Sequence, residues 1–367
     1  MIRKYEEFIA KSKLESVHRK LSIHPEDYID FSSNDYLGFS KNADVINAGI
    51  NASLKYGSGS GGSRLLSGNN ELFLAFEELI LSDKNTKAAL IFNSGFQANS
   101  GVLESLTDKK TTVIFDKLNH ASMYHGVFTS SAKLVRFNHL DYDHLENILI
   151  NEKSKQIMIC SETVFGMDGD IADVNVLSDL SNKYGTLLYL DEAHATGIYG
   201  KNGYGVSTDF NLNPETTVIM GTFSKALGSS GAYVACSKLI QDFLIQKCRS
   251  FVYSTALSPF CIGAAMAAWK MLKYTKSVRK KLLEKSENLR EKLKRSSLKT
   301  TGHGTNIIPI LYKDSKSMKE AKEACLKGKL IVSGIAPPTS PTPRIRIALT
   351  TKHTDEEIEK LLERITK

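Results

Sequence analysis

The chain predicts an α/β fold: a mostly parallel central sheet flanked by helices, followed by a smaller α+β unit at the C-terminal end. Two observations carry this. Seven short apolar or β-branched runs, at residues 88–92, 111–115, 133–137, 156–160, 187–190, 217–220 and 232–236, alternate with amphipathic stretches, the rhythm of helix-flanked parallel strands. After residue 270 the pattern changes to long charged helical stretches, the run 305–310, a proline-rich loop and the strand-like 344–349. At 367 residues the chain is too long for one compact hydrophobic unit. We expect an N-terminal segment over 1–39, a large domain over 40–270 and a small domain over 271–367.

In chain order, residues 1–14 are studded with Lys, Arg and Glu and lack the apolar centre of a signal peptide. Residues 46–56 read as a helix. The Gly57–Gly62 run formally matches a G-x-G-x-x-G, but a helix and not a strand precedes it, so a loop lining a substrate channel is the better reading. Residues 260–272 are the most apolar helical stretch; they are short and broken by Lys270, which makes a core helix and no membrane span. Between Lys273 and Lys299 eleven basic residues meet three glutamates, and this stretch accounts for the whole formal charge of +8. Leucines at helical spacing make it an amphipathic helix with a solvated basic face; the alternative is a landing surface for coenzyme A phosphates or an acyl carrier protein. No nucleic-acid-binding motif accompanies the charge. Five scattered cysteines without a C-x-x-C pair argue against a disulfide framework and against a zinc site, and favour a reducing, cytoplasmic setting.

Ligands of parallel sheets bind at the carboxyl ends of the strands, and chemistry-bearing residues gather there. The run 187–190 ends in Asp191, with His194 three residues on; the run 217–220 leads into Thr222, Ser224 and Lys225. A lysine ringed by small and hydroxylated residues has room for a bulky aldehyde, and hydroxyls to hold a phosphate. An aspartate at a buried strand end can pair with a protonated pyridine nitrogen. Together these residues form a pyridoxal phosphate constellation. Asn93-Ser94-Gly95-Phe96 passes from strand to helix, where free amides make a phosphate site. His120 also follows a strand end; its imidazole can stack on a flat cofactor ring or hydrogen-bond a substrate carboxylate, against the default of an ordinary surface or core histidine. Arg344 and Arg346 point to one side of a strand; from spacing alone solvation is favoured over an anion grip on a carboxylate.

As an ordered set, Asn34-Asp35-Tyr36-Leu37-Gly38, Gly57 to Gly62 with Ser63-Arg64, Ser94-Gly95-Phe96, His120-Ala121-Ser122, Met167-Asp168-Gly169-Asp170, Asp191 to Gly197, Thr222 to Lys225, Tyr253-Ser254-Thr255 and Arg344-Ile345-Arg346 resemble the motifs of the α-oxoamine synthases. The resemblance spans nearly the whole chain. It implies an aminotransferase-like, fold type I enzyme that uses pyridoxal 5'-phosphate to join an amino acid to an acyl thioester with loss of carbon dioxide, acting as a homodimer. Carried over by position, Lys225 is the Schiff-base lysine and proton-transfer base, and Asp191 holds the pyridine nitrogen. His120 stacks on the ring and His194 meets its phenolic oxygen. Gly95, Phe96, Thr222 and Ser224 surround the phosphate end, with Thr255 supplied by the partner subunit. Asn34, Arg346, Thr339 and Arg19 match substrate-side positions. The runs 63–69 and 335–339 point within the family to the member that uses L-alanine and a pimeloyl thioester, carried on coenzyme A or on a carrier protein; a glycine and acetyl-coenzyme A member is the alternative. One departure stands out: Gly166 replaces a serine whose hydroxyl commonly touches the cofactor, a loss worth on the order of 1 kcal/mol. Two other classes account for less. A nicotinamide oxidoreductase built on Gly57–Gly62 would need a strand before that loop, and a cofactor-free scaffold would leave Asp191, His194 and Lys225 without a purpose.

Overall fold

The computed structural model describes residues 1–14, 21–337 and 339–366. The seven runs form one sheet. They are β1 (Ala88–Phe92), β2 (Thr111–Asp116), β3 (Lys133–Phe137), β4 (Gln156–Glu162), β5 (Leu187–Asp191), β6 (Thr217–Thr222) and β7 (Ala232–Cys236), in the spatial order β1-β7-β6-β5-β4-β2-β3. Strands β1, β2, β6 and β7 are buried along their whole length, which is why they read as continuous apolar runs and do not alternate. Only β7 runs against its neighbours; it pairs antiparallel with both β1 and β6, and the other adjacent pairs are parallel.

Register places the strand ends side by side. Glu162 is level with Asp191, and Asp191 with Met220, so Thr222 projects just beyond them. The helix Gly95–Leu106 starts after β1 on the same edge, and Ser94 caps it by accepting from Gln97 N. The helix Ala121–Ser130 starts beyond β2, capped by the His120 side chain.

The C-terminal unit is a four-stranded antiparallel sheet of β8 (Lys299–Thr300), β9 (Ile307–Leu311), β10 (Ser333–Ile335) and β11 (Arg344–Ala348). The N-terminal segment is sewn to it: Ile29–Asp30 pairs in parallel with Leu330–Ile331, and Ala348 N donates to Phe31 O across 2.8 Å. We propose the division at residues 39 and 270, with the first part paired to the third.

The basic stretch is the helix Lys276–Arg295, with Leu282, Leu289 and Leu293 buried. Its basic face is not wholly solvated. Arg279 is buried and donates to Ile198 O, Gly200 O and Lys201 O; Arg290 is buried and donates to Thr305 O, Thr305 Oγ1 and Ile307 O. A guanidinium's forked donors can satisfy several carbonyls at once, which makes such burial tolerable. Lys280, Lys281, Lys294 and Arg295 stay exposed. The Gly57–Gly62 run is a loop after the helix Ala43–Tyr56, pinned where Gly62 O accepts from Ala256 N and Ser60 Oγ donates to Leu257 O.

Candidate active site at the carboxyl edge of the sheet

Asp191 ends β5 and is buried. Its Oδ1 accepts from Ala193 N at 2.8 Å and its Oδ2 from Asn99 Nδ2 at 2.7 Å, so the carboxylate is aimed while lone pairs remain for a further donor. Asn99 is the hub of a network not read from the sequence. Tyr189 OH donates to its Oδ1 at 2.7 Å, and its Nδ2 also reaches Ser122 Oγ at 3.0 Å. Ser122 Oγ lies 2.7 Å from His120 Nδ1. One buried amide therefore orients both Asp191 and His120. The available signal was an asparagine, a weak helix former, placed beside Ala98 and Val102 on the apolar face of the helix Gly95–Leu106.

Lys225 lies past the end of β6. Burial brings its amine down to about 8, against the pull of Asp191 and Glu162 and with the push of Arg346. Glu162, which the sequence reading also passed over, ends β4 beside Asp191; burial and the Asp191 charge raise its carboxyl to about 8, with Lys225 opposing. Desolvation holds the His120 imidazole below its ordinary value, with Asp191 opposing and Lys225 assisting.

His194 and the two arginines lie on the C-terminal side of the cleft. Burial, then the charges of Lys225, Arg346 and His120, hold the His194 imidazole well below its ordinary pKa, so it is neutral at neutral pH. Tyr36 OH lies 2.7 Å from His194 Nδ1. Arg346 donates from Nε to Gly166 O at 2.5 Å and from Nη2 to Asn34 Oδ1 at 3.0 Å. Arg344 donates to Asp168 Oδ1 at 2.5 Å and to Met167 O at 3.1 Å. Both arginines are buried, so the solvated reading of the pair is corrected. Carbonyls and carboxylates from elements far away in sequence take the place of water, and the two roles separate: Arg344 ties down the 166–170 turn, while Arg346 sits with Asn34, Tyr36 and His194.

At the other end of the cleft, a Cβ on Gly95 would come within 2.6 Å of Thr222 Cγ2, so the helix start is bare backbone by necessity. Thr222 is buried and donates to Ala193 O at 3.3 Å. Ser224 and Phe96 are exposed at the mouth. Thr255 is also exposed; its carbonyl accepts from Asn93 Nδ2 at 2.7 Å and it bridges to Ser63. Thr339 is on the exposed loop before β11, its N–H donating to Ala336 O. Arg19 lies outside the described residues.

Beneath the site a buried ion pair fixes the turn after Asp191. Lys84 Nζ reaches Glu192 Oε2, Tyr204 O and Ser207 Oγ, and Glu192 accepts in addition from Ser207 N. Both charged side chains are fully shielded from solvent.

Residues 26–365 match the model of the aminotransferase class I and II family. The chain is similar to the 8-amino-7-oxononanoate synthases of Geobacter sulfurreducens, at 38% identity covering 89% of this chain and 85% of that protein, and of Trichlorobacter lovleyi, at 35% covering 92% and 88%. Among solved structures it resembles the 8-amino-7-oxononanoate synthase of Francisella tularensis, with a TM-score of 0.82 and 29% identity over 93% of this chain and 98% of that one. It also resembles a serine palmitoyltransferase from S. paucimobilis with bound pyridoxal phosphate and myriocin, with a TM-score of 0.93 and 27% identity over 100% and 97%.

Proposed function

Because the chain belongs to the aminotransferase class I and II family, we propose that it is a pyridoxal phosphate-dependent acyltransferase that condenses L-alanine with a pimeloyl thioester to give 8-amino-7-oxononanoate and carbon dioxide, a step of biotin biosynthesis. The observation that carries this is the meeting at one sheet edge of Lys225, its amine brought to about 8, with Asp191, His194 and Arg346. The similarity to 8-amino-7-oxononanoate synthases over most of the chain supports the choice of substrates.

The residues fit the cofactor. The bare helix start at Gly95 lets a phosphate approach the amides of Gly95 and Phe96, with the hydroxyls of Thr222 and Ser224 nearby. Asp191 keeps acceptor capacity for a ring N–H, and His194 Nε2 has no hydrogen-bond partner among the described residues. When bound, pyridoxal phosphate supplies an aldehyde that captures amines and a protonated ring that draws electrons from an attached α-carbon.

The protein does the rest. Arg346 grips the alanine carboxylate through a bidentate contact, with Asn34 alongside. An amine poised near neutrality is suited to take a proton and return it, so Lys225 removes the alanine α-proton and restores one to that carbon at the end. Asp191 would hold the proton of the ring nitrogen, and His120 would cover the ring face and donate to the substrate carbonyl. The new bond joins the alanine α-carbon to the acyl carbon; the thiol departs, and the alanine carboxyl leaves as carbon dioxide.

From the resemblance we assign substrate-side roles to Thr339 and Arg19, and the phosphate contact of Thr255 to the second subunit of a homodimer. Phe96 and Tyr253, 52% and 80% exposed in the single chain, suit a face that a partner covers. No helix among the described residues is long and apolar enough to cross a membrane; we place the enzyme in the cytoplasm.

The test is a matrix of L-alanine, glycine and L-serine against pimeloyl-coenzyme A, pimeloyl-acyl carrier protein, acetyl-coenzyme A and palmitoyl-coenzyme A, scored by carbon dioxide and ketone product. Turnover should be highest with alanine and a pimeloyl thioester. A preference for glycine with acetyl-coenzyme A would reassign the chain to the ketobutyrate-forming reaction.

A further inference from the structure

Five residues close a ring around the inner wall of the cleft. Gly166 O accepts from Arg346 Nε at 2.5 Å, and Arg346 Nη2 donates to Asn34 Oδ1 at 3.0 Å and approaches Tyr36 OH at 3.5 Å. Tyr36 OH lies 2.7 Å from His194 Nδ1. The ring then closes by contact without a hydrogen bond, because a Cβ built on Gly166 would lie 2.2 Å from His194 Nε2 and 2.7 Å from Cδ2. In this conformation the imidazole edge occupies the place of a Cβ at position 166.

Proton counting narrows the chemistry of this ring to two arrangements. The guanidinium can only donate, so it uses the oxygens of Asn34 and Tyr36 as acceptors. The tyrosine has one proton to give. It can go to Asn34 Oδ1 at 3.1 Å, whose second lone pair is open beside the Arg346 bond, or to His194 Nδ1 at 2.7 Å. The shorter contact assigns the tyrosine proton to Nδ1. An uncharged imidazole that accepts at Nδ1 carries its own proton on Nε2.

We propose that Tyr36 is a positioning residue that sets the tautomer of His194, placing the proton on Nε2 as a donor to an anionic phenolic oxygen, and that the absent side chain at Gly166 gives this imidazole its room. The hydroxyl absent from position 166 is thus compensated by a locked histidine. The cofactor oxygen rests on the function proposed above, whereas the tautomer is a property of the chain alone, so the two can fail separately.

The experiment is nitrogen NMR of the full-length protein labelled at histidine, without cofactor, followed by titration with pyridoxal phosphate. In the wild type, His194 should show a protonated Nε2 and an accepting Nδ1 at pH 7.5. Tyr36→Phe should abolish that signature and weaken retention of the cofactor about tenfold. Combined with His194→Asn, Tyr36→Phe should add nothing further to cofactor loss. Gly166→Ala, which leaves Tyr36 in place, should weaken retention by displacing the ring. A proton on Nδ1 in the wild type, unchanged nitrogen shifts in Tyr36→Phe, or additive losses in the double variant would each overturn the proposal. A wild type that shows the predicted tautomer but takes up no pyridoxal phosphate would instead overturn the proposed function and its phenolic acceptor.

Discussion

Asn99 Nδ2 donates to Asp191 Oδ2 across 2.7 Å, and the same nitrogen reaches Ser122 Oγ, the neighbour of His120 Nδ1. The helix Gly95–Leu106 thereby aims both the Asp191 carboxylate and the His120 imidazole. Asn99→Leu leaves Tyr189 OH and Asp191 each short of a buried partner, a cost of about 1–3 kcal/mol. Cofactor affinity, measured by equilibrium dialysis, should fall tenfold or more while the fold persists; unchanged affinity would show that Ala193 N alone holds the carboxylate.

Arg344 and Arg346 should separate in kinetics. Arg346→Met is expected to raise the KM for alanine by about a hundredfold, the loss of a charge-assisted bidentate contact of about 3 kcal/mol, with little change in melting temperature. Arg344→Met breaks the buried Asp168 pair and should lower the melting temperature, with a smaller effect on KM. Equal kinetic damage from both variants would undo the division of roles.

The Lys84–Glu192 pair has no access to solvent. Lys84→Met strands the glutamate and should cost about 3–5 kcal/mol in urea unfolding. The double variant Lys84→Met with Glu192→Gln should recover part of that loss. A single variant as stable as wild type would mean that Ser207 alone satisfies Glu192.

His139 joins the end of β2 to the 168–170 turn. Its Nδ1 contacts both oxygens of Asp116, and its Nε2 lies 3.0 Å from Asp170 Oδ2. Although burial opposes the charge, hydrogen bonds to Asp116 and Asp170 overcome it and raise the imidazole to about 9. The raised pKa means that its stabilisation is complete below pH ~6.5, where the unfolded imidazole is also charged, and is lost as the pH climbs through about 9. Wild-type stability should decline by about 2–3 kcal/mol between pH 6.5 and 9.5 relative to His139→Gln. Parallel pH profiles of the two proteins would refute the charged bridge.

The central strands and their carboxyl-edge residues were legible because strands buried on both faces leave continuous apolar runs, and because Asp191, His194 and Lys225 sit at the ends of those runs; the half-exposed edge strand β3 was legible from its place in the alternation. The direction of β7 was not legible, since a buried strand has the same composition whichever way it runs. The Asn99 network and the burial of Arg279, Arg290, Arg344 and Arg346 depend on hydroxyls, carboxylates and carbonyls brought in from distant segments, which local spacing does not encode. Gly166 was visible as a missing hydroxyl; that the His194 ring fills its place required the folded chain.

The central claim is that Lys225 carries the cofactor, and borohydride reduction of the reconstituted protein followed by peptide mapping tests it most directly. The account predicts a single phosphopyridoxyl group, on the peptide containing Lys225, and none in Lys225→Ala. Label on another lysine, or undiminished labelling and turnover in Lys225→Ala, would contradict it.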